Sequence, residues 1–301
     1  MSLKKYLIII LTAITIQRLY SCDLCGCSSG NYFIGPFPQF NSHFAGLQYS
    51  FQKFSTVLNG DNTQFSKDFY QTTELLAGTK IKNKWQIFTF VPYNIYHSES
   101  DDGIKQRNGL GDISIIGNYD LFERKYLNRD TETVFQQLWI GVGIKLPTGK
   151  FSVDTGELIS SANLQPGTGS LDFILNAMYT FQIRSWGFNF NLNYKINGSA
   201  DDFKFGNRLY GTAFVFRNFH IKKIMVSPNL GLLDEKSAAN MKDHAKVEDT
   251  GGNVLLSAVG IELKYKKIVF GCNAEIPISS DLSGGQTDAK LRGMCHITYA
   301  F

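Results

Sequence analysis

Residues 186–197 read Trp-Gly-Phe-Asn-Phe-Asn-Leu-Asn-Tyr-Lys-Ile-Asn, with every even position apolar or aromatic and every odd one Gly, Asn or Lys. Side chains alternate between the two faces of an extended strand, so this segment builds one greasy face and one wet face. The same period returns at Leu171, Phe173, Leu175, Ala177, Tyr179, Phe181 and Ile183, opposed by Asp172, Asn176, Thr180, Gln182 and Arg184. It returns again at Leu138, Ile140, Val142 and Ile144, at Trp85, Ile87, Val91, Tyr93 and Ile95, and at Ile268, Phe270, Cys272, Ala274, Ile276 and Ile278. These runs last eleven to sixteen residues. Strands in soluble sheets are usually about five or six residues long, whereas a tilted strand that crosses a bilayer needs about 9–11. The length of the runs therefore predicts membrane-crossing strands.

Scanning the chain gives twelve such segments, at 43–56, 69–81, 84–97, 109–122, 133–147, 169–184, 186–197, 203–218, 221–233, 252–265, 267–279 and 290–301. Long connections at 57–68, 98–108, 148–168, 234–251 and 280–289 alternate with short ones at 82–83, 185, 219–220 and 266; 123–132 and 198–202 are of medium length. Loops sorted by length onto two ends are the mark of an up-and-down antiparallel β-barrel of the outer-membrane type, with the short set periplasmic. The predicted fold class is thus all-β, a transmembrane barrel of about twelve strands. Pro92, Pro228 and Pro277 fall inside predicted strands. Each removes a ladder donor, so bulges or strand ends are expected there.

The two ends of the chain extend this picture. Residues 291–301 place Leu291, Gly293, Cys295, Ile297, Tyr299 and Phe301 on one face, so the last ring is expected in the interfacial aromatic girdle. This ending resembles the C-terminal strand signature that the barrel-assembly machinery of Gram-negative bacteria reads. Outer-membrane lipid and that machinery are the expected partners, and the cell outer membrane is the expected location. At the other end, Lys4 and Lys5 precede an apolar run, Leu7 to Ile16. At roughly ten residues it is too short to span a bilayer and predicts a secretory signal peptide over 1–21. A Cys-rich segment over 22–42 and the barrel over 43–301 would follow. Removing Lys4, Lys5 and Arg18 lowers the formal net charge from +4 to +1 (4 − 3). No basic excess remains to support nucleic-acid binding.

The polar face supplies the candidate lumen. In the predicted register the inward positions are Asp112, Asn118, Lys145, Asp172 and Asn176, then Asn189, Asn191, Asn193, Lys195 and Arg208, and finally Glu262, Asn273, Glu275, Arg292 and His296. Both signs of charge occur, and a buried polar group without a partner costs about 1–3 kcal/mol, so mutual pairing across the lumen is expected. Eight strands give a filled interior and sixteen to eighteen a water channel, so twelve predict a narrow, partly plugged pore.

Four stretches carry a family likeness: Gly109-Leu110-Gly111-Asp112-Ile113, Lys145-Leu146-Pro147-Thr148-Gly149, Gln165-Pro166-Gly167-Thr168-Gly169-Ser170-Leu171-Asp172, and Phe205-Gly206-Asn207-Arg208. Together, over about residues 105–301, they resemble the outer-membrane transporter family associated with the MetA pathway of phenol degradation. The resemblance implies a barrel that passes small molecules. Physically, Gly, Pro, Thr and Asp in these places suit turns where strands meet a rim loop. The functional reading is that the 148–168 loop folds toward the mouth, with those residues anchoring the constriction and not touching solute.

Cys22, Cys25 and Cys27 form a second candidate site in the spacing C-x-x-C-x-C. Three readings stand: a soft metal such as Cu or Zn on thiolates, a disulfide in an oxidising compartment, or lipidation of Cys22 with Cys25 and Cys27 left to pair. Beyond such a metal no cofactor is expected. Cys272 and Cys295 lie nearly opposite each other on the lipid face of neighbouring strands. A bridge between them is one reading; two free thiols packing as small hydrophobes is the expected one.

Catalysis finds no constellation. His97-Ser98 sits in Tyr96-His97-Ser98-Glu99-Ser100, without the His-x-Ser-Asn-Gly arrangement of outer-membrane phospholipases. Adjacent strand residues also face opposite ways, which separates the two side chains. The expectation is a non-enzymatic channel for passive passage of small solutes, hydrophobic or aromatic ones among them. The alternative is a metal-binding surface protein whose barrel only anchors the Cys22/Cys25/Cys27 head.

Overall fold

The structure, a computed structural model, describes residues 43–58, 64–82, 84–101, 103–127, 133–151 and 164–301. The predicted signal peptide, the Cys22/Cys25/Cys27 head and the middle of the 148–168 loop lie outside the described residues. Twelve barrel strands run β1 (Phe44–Leu58), β2 (Gln64–Ile81), β3 (Trp85–Ser100), β4 (Gly103–Leu110 and Ile113–Leu127), β5 (Thr133–Leu146) and β6 (Asp172–Ile183). They continue as β7 (Trp186–Ile196), β8 (Arg208–Arg217 and Phe219–Ile221), β9 (Ile224–Ser237), β10 (Gly252–Tyr265), β11 (Ile268–Leu282) and β12 (Thr287–Ala289 and Arg292–Ala300). Each pairs antiparallel with its neighbours in sequence, and β12 pairs back onto β1 from Phe44↔Ala300 to Phe51↔Gly293, which closes the sheet. Closure removes the unpaired edges that lipid cannot tolerate.

The outer face is apolar all round. Leu75, Val142, Leu175, Leu230, Val259 and Ile297 are among the large apolar side chains exposed there. In water this coat would be an aggregation surface; against hydrocarbon it is the stable arrangement. Aromatic residues ring the end where the short turns lie. Arg217 stacks over Trp186 (5.1 Å) and Phe219 (4.9 Å), and Lys266 over Tyr265 (5.4 Å). Cations on amphipathic rings at one level mark an interface between hydrocarbon and water. Phe301 stacks on His43 and Tyr299 at this same end, with its N–H donating to the His43 carbonyl at 2.9 Å.

The prolines each meet an irregularity. Pro92 lies where β3 passes the break in β4: Tyr93 opposes Leu110 and Phe90 opposes Ser114, so two residues face three. Its carbonyl accepts Gly111 N–H at 2.8 Å, so the missing N–H points at the same break. Pro228 falls in the break between the pairs Phe216↔Asn229 and Phe219↔Val226, where β8 is interrupted. Pro277 borders a bulge, since Leu256 opposes Pro277 but Leu255 opposes Ser279. A closed barrel thus accepts proline where the neighbour has already stopped asking for a hydrogen bond.

Two expectations need correction. The segments 57–68 and 98–108 are not long loops: β1 and β2 pair out to Leu58↔Gln64, and β3 and β4 out to Ser100↔Gly103. Above the bilayer both faces of a hairpin are wet, so pairing continues after the alternation ends. Cys272 and Cys295 are not free thiols but a disulfide between directly paired positions, with Cα atoms 4.1 Å apart. A close cross-strand pair on one face brings the two sulfurs together.

Candidate functional site

The interior has two polar centres separated by packed side chains. The first is at the end that carries the long loops. There Asp112, in the break of β4, accepts from Lys145 Nζ at 2.7 Å, from Gly149 N–H at 2.9 Å, and from the Thr168 N–H and hydroxyl at 2.9 and 2.8 Å. Lys145 also pairs with Asp172 at 2.8 Å and contacts the Thr168 hydroxyl. Asp172 in turn accepts from Ser170 Oγ at 2.7 Å and Gly198 N–H at 2.9 Å. All the side chains of this knot are buried. One lysine between two carboxylates, each further bonded, is the arrangement in which a buried ion pair is retained without stranded charge.

The glycines of these motifs serve close approach. Gly149 and Gly167 meet backbone to backbone, and a Cβ on Gly149 would lie 2.6 Å from the Gly167 Cα. Asn94 Nδ2 donates to the Pro166 carbonyl at 2.9 Å, which ties the returning loop to β3. Leu164 is carried inward into a cluster with Phe54, Tyr70 and Tyr96. Phe205 and Phe203 stack edge-on at 4.9 Å with Phe151 against them, and Asn207 Oδ1 accepts Asn197 N–H at 3.0 Å. All four stretches that carry the family likeness therefore converge on one side of this rim. They hold the described ends of the 148–168 loop across the mouth.

Deeper inside, the asparagines of β7 form a ladder. Asn176 Nδ2 donates to Asn191 Oδ1 at 3.0 Å and Asn193 Oδ1 at 2.6 Å, and Asn189 Nδ2 donates to Thr180 Oγ1 at 3.0 Å. His296 Nε2 lies 2.9 Å from Glu262 Oε1, both side chains nearly inaccessible. Asn118, Asn229 and Asn273 are buried with neither amide atom bonded within the described residues. Each lies beside an inward glycine, Gly141 for Asn118 and Gly260 for the other two, whose missing side chain leaves the amide room. Buried amides without a protein partner are ordinarily satisfied by water.

The second centre surrounds a small cavity of about 20 Å³, room for about one water molecule. Its walls include Gln48 and Ser50 of β1, Thr72 and Glu74 of β2, Tyr210 of β8, Glu275 of β11, and Arg292 and Met294 of β12. β2 and β8 are six strands apart in a ring of twelve, so the cavity crosses the lumen. Arg292 Nη1 donates to Glu235 Oε2 at 2.8 Å and its guanidinium lies 5.3 Å over the Phe54 ring. Glu74 and Glu275 make no hydrogen bond or ion pair within the described residues.

The inward positions read from the alternation, Asp112, Asn118, Lys145, Asp172, Asn176, Asn189, Asn191, Asn193, Lys195, Arg208, Glu262, Asn273, Glu275, Arg292 and His296, are all buried inside the ring. The structure gathers Asp112, Lys145 and Asp172 into the rim knot and Glu275 with Arg292 at the cavity. Lys195 opposes Arg208 in register near the same rim. Of the cavity walls, Gln48, Ser50, Thr72, Glu74, Tyr210 and Met294 are not among the predicted inward positions, nor is Glu235, the partner of Arg292. Glu235 lies beyond the predicted end of its strand. Tyr210 is an aromatic facing inward. Glu74 carries the one visible signal, a lone carboxylate in the uncharged run Phe69–Thr79, which a membrane strand has to turn inward. The inward aromatic layer of Phe88, Phe90, Trp139, Phe214 and Phe216 also departs from the expected polar lumen. Phe44, Phe216 and Phe214 each pack onto a glycine directly opposite, at Gly78, Gly187 and Gly231.

An outer membrane channel from Pseudomonas putida F1 is similar over 90% of this chain and 98% of that chain, with 13% identity and a TM-score of 0.59. The chain is an outer-membrane β-barrel. The transport unit of the autotransporter AIDA-I from Escherichia coli is similar over 90% of this chain and 94% of that one, at 10% identity and a TM-score of 0.50. At such identities the likeness is one of fold. No family model matches the barrel, and no curated protein matches it.

Proposed function

We propose that the barrel is a channel for passive passage of small solutes across the outer membrane, in the transporter family that its four rim motifs resemble. The observation that carries this reading is the polar lining of the closed barrel, where Glu74 on β2 and Tyr210 on β8 face one water-sized cavity beneath a mouth crossed by an anchored segment. A barrel that served only as an anchor gains nothing from keeping charged groups at its centre, because an apolar filling is the more stable solution. Tyr70, Tyr96, Phe54 and Tyr210 give the path aromatic walls, which suits solutes with an apolar or aromatic part. The outward ring of Phe301 on the last strand supports recognition by the barrel-assembly machinery.

Recording from the refolded protein in planar bilayers tests the channel, together with solute flux into liposomes. Discrete conductance steps and flux are expected; a protein that inserts yet passes neither ions nor solute overturns the reading.

A further inference from the structure

We infer that the end of the barrel that carries the short turns is a basic collar, which binds anionic phospholipid head groups in the leaflet around it. Such a collar serves the barrel in its membrane whether or not solute passes. The short turns and strand ends at 80–85, 184–186, 217–224 and 264–268 contain ten Lys or Arg and no Asp or Glu. A fifth connection at this end, 123–132, carries three residues of each sign. The six connections at the opposite end, 57–68, 98–108, 148–168, 198–202, 234–251 and 280–289, hold sixteen Asp or Glu to seven Lys or Arg. In every one of them the acids outnumber the bases. The two ends thus carry opposite charge, which the small net charge of the whole chain conceals.

The cations of the collar stand where other residues fit with less strain. The first residue of each short turn, Lys82, Arg184, Lys222 and Lys266, has a positive φ, at 56°, 54°, 54° and 52°. Glycine or asparagine adopts that conformation more readily. Lys or Arg occupies it in all four turns, and its side chain is exposed each time. Repeated at every short turn, the choice marks side chains kept for their charge.

Four further contacts fix the level of this charge. Lys84 lies 5.8 Å over Tyr119, beside Trp85, and Arg124 lies 5.6 Å over Phe122. Arg217 and Lys266 lie over Trp186, Phe219 and Tyr265, rings exposed on the outer face. At the opposite end one outward contact of this kind occurs among the described residues, Lys53 over Phe69 at 5.4 Å. Stacking on lipid-facing rings aims the collar cations sideways, to the level where hydrocarbon meets head groups. A lipid phosphate lies at that level. A folded acidic protein approaching from water would first have to displace the head groups. Guanidinium and ammonium donors match phosphate oxygens, and clustered Lys and Arg at a membrane surface attract anionic lipid.

Tryptophan quenching by brominated lipid tests this, because Trp85 and Trp186 stand in the collar while the third tryptophan, Trp139, is buried inside the ring. The protein carrying Trp85→Phe is refolded into phosphatidylcholine vesicles at low salt. Dibrominated phosphatidylglycerol should then quench Trp186 with an association constant about fivefold that of dibrominated phosphatidylcholine, the gain expected from one cation at an anionic head group. High salt should shrink the difference. Replacing Arg217, Lys222 and Lys223 together by Gln should bring the ratio close to one, whereas Arg217→Lys should retain it. Lys53→Gln, which removes the stacked cation of the opposite end, should leave it unchanged. A shift in gel migration on heating shows in each case that the variant has folded. Equal quenching by the two lipids at low salt leaves the collar to water or to an acidic protein and overturns the inference. A preference that survives the triple replacement overturns it as well.

Discussion

The rim knot and the lumen cavity are both buried ionic clusters in one barrel, yet they are built on opposite principles. At the rim, Lys145 is bracketed by Asp112 and Asp172, and each carboxylate takes further bonds from Gly149, Thr168, Ser170 or Gly198. At the cavity, Arg292 pairs with Glu235 through Nη1 alone, its Nε and Nη2 have no partner within the described residues, and Glu74 and Glu275 line the same small cavity. A cluster whose every charge is answered holds loops in place. A cluster with bonds left unmade contributes less to holding the frame. The pair teaches that burial of charge alone does not distinguish structure from function; saturation of its bonding does.

The contrast is sharpest for the removal of each central cation. Lys145→Met strands two carboxylates that have almost no access to water, and unfolding in urea from lipid vesicles should show a loss of about 3–5 kcal/mol. Arg292→Met leaves Glu235 beside a cavity that admits water, so a smaller loss of about 2–3 kcal/mol is expected in the same measurement. Equal losses would erase the distinction drawn between the two centres. Thr168→Val removes a hydroxyl that bonds Asp112 and should cost about 1–2 kcal/mol. It should also raise single-channel conductance by loosening the 164–171 segment over the mouth; a knot irrelevant to the mouth would leave conductance unchanged. Glu275→Gln has no bond to lose, and its stability should stay within about 0.5 kcal/mol of the wild type. A large destabilisation there would mean that Glu275 belongs to the frame.

The outer face was legible in the chain because hydrocarbon enforces it. Every outward position between the interfaces pays for polarity, so Leu, Val, Ile and aromatic residues return with period two and can be counted. The inner face obeys no such rule. It can be wet, as at the Asn189–Asn193 ladder, or packed, as at Phe88, Phe90 and Trp139, and the parity of a strand does not say which. The four rim motifs could be recognised as a set and as turn-forming. That three of them meet in one knot around Lys145 was not visible, since 63 positions separate Gly109 from Asp172 along the chain. Glu235 was missed because alternation stops where hairpins rise out of the membrane, although the strand runs on to Ser237.

The sequence by itself determined the class of molecule: an all-β barrel of twelve long strands, its lipid face, and the tolerance of its prolines as irregularities. These follow from local periodicity and from the nature of the solvent. The tertiary structure decided what faces what inside the ring: that Cys272 and Cys295 are joined, that Lys145 is shared by two aspartates, and that Glu74 and Glu275 look into one cavity with Arg292 turned to Glu235. Such relations depend on the register of strands far apart in the chain and on closure of the sheet, which brings β12 to β1 and sets β2 across from β8. No window of residues contains that information, because it exists only once the ring has closed.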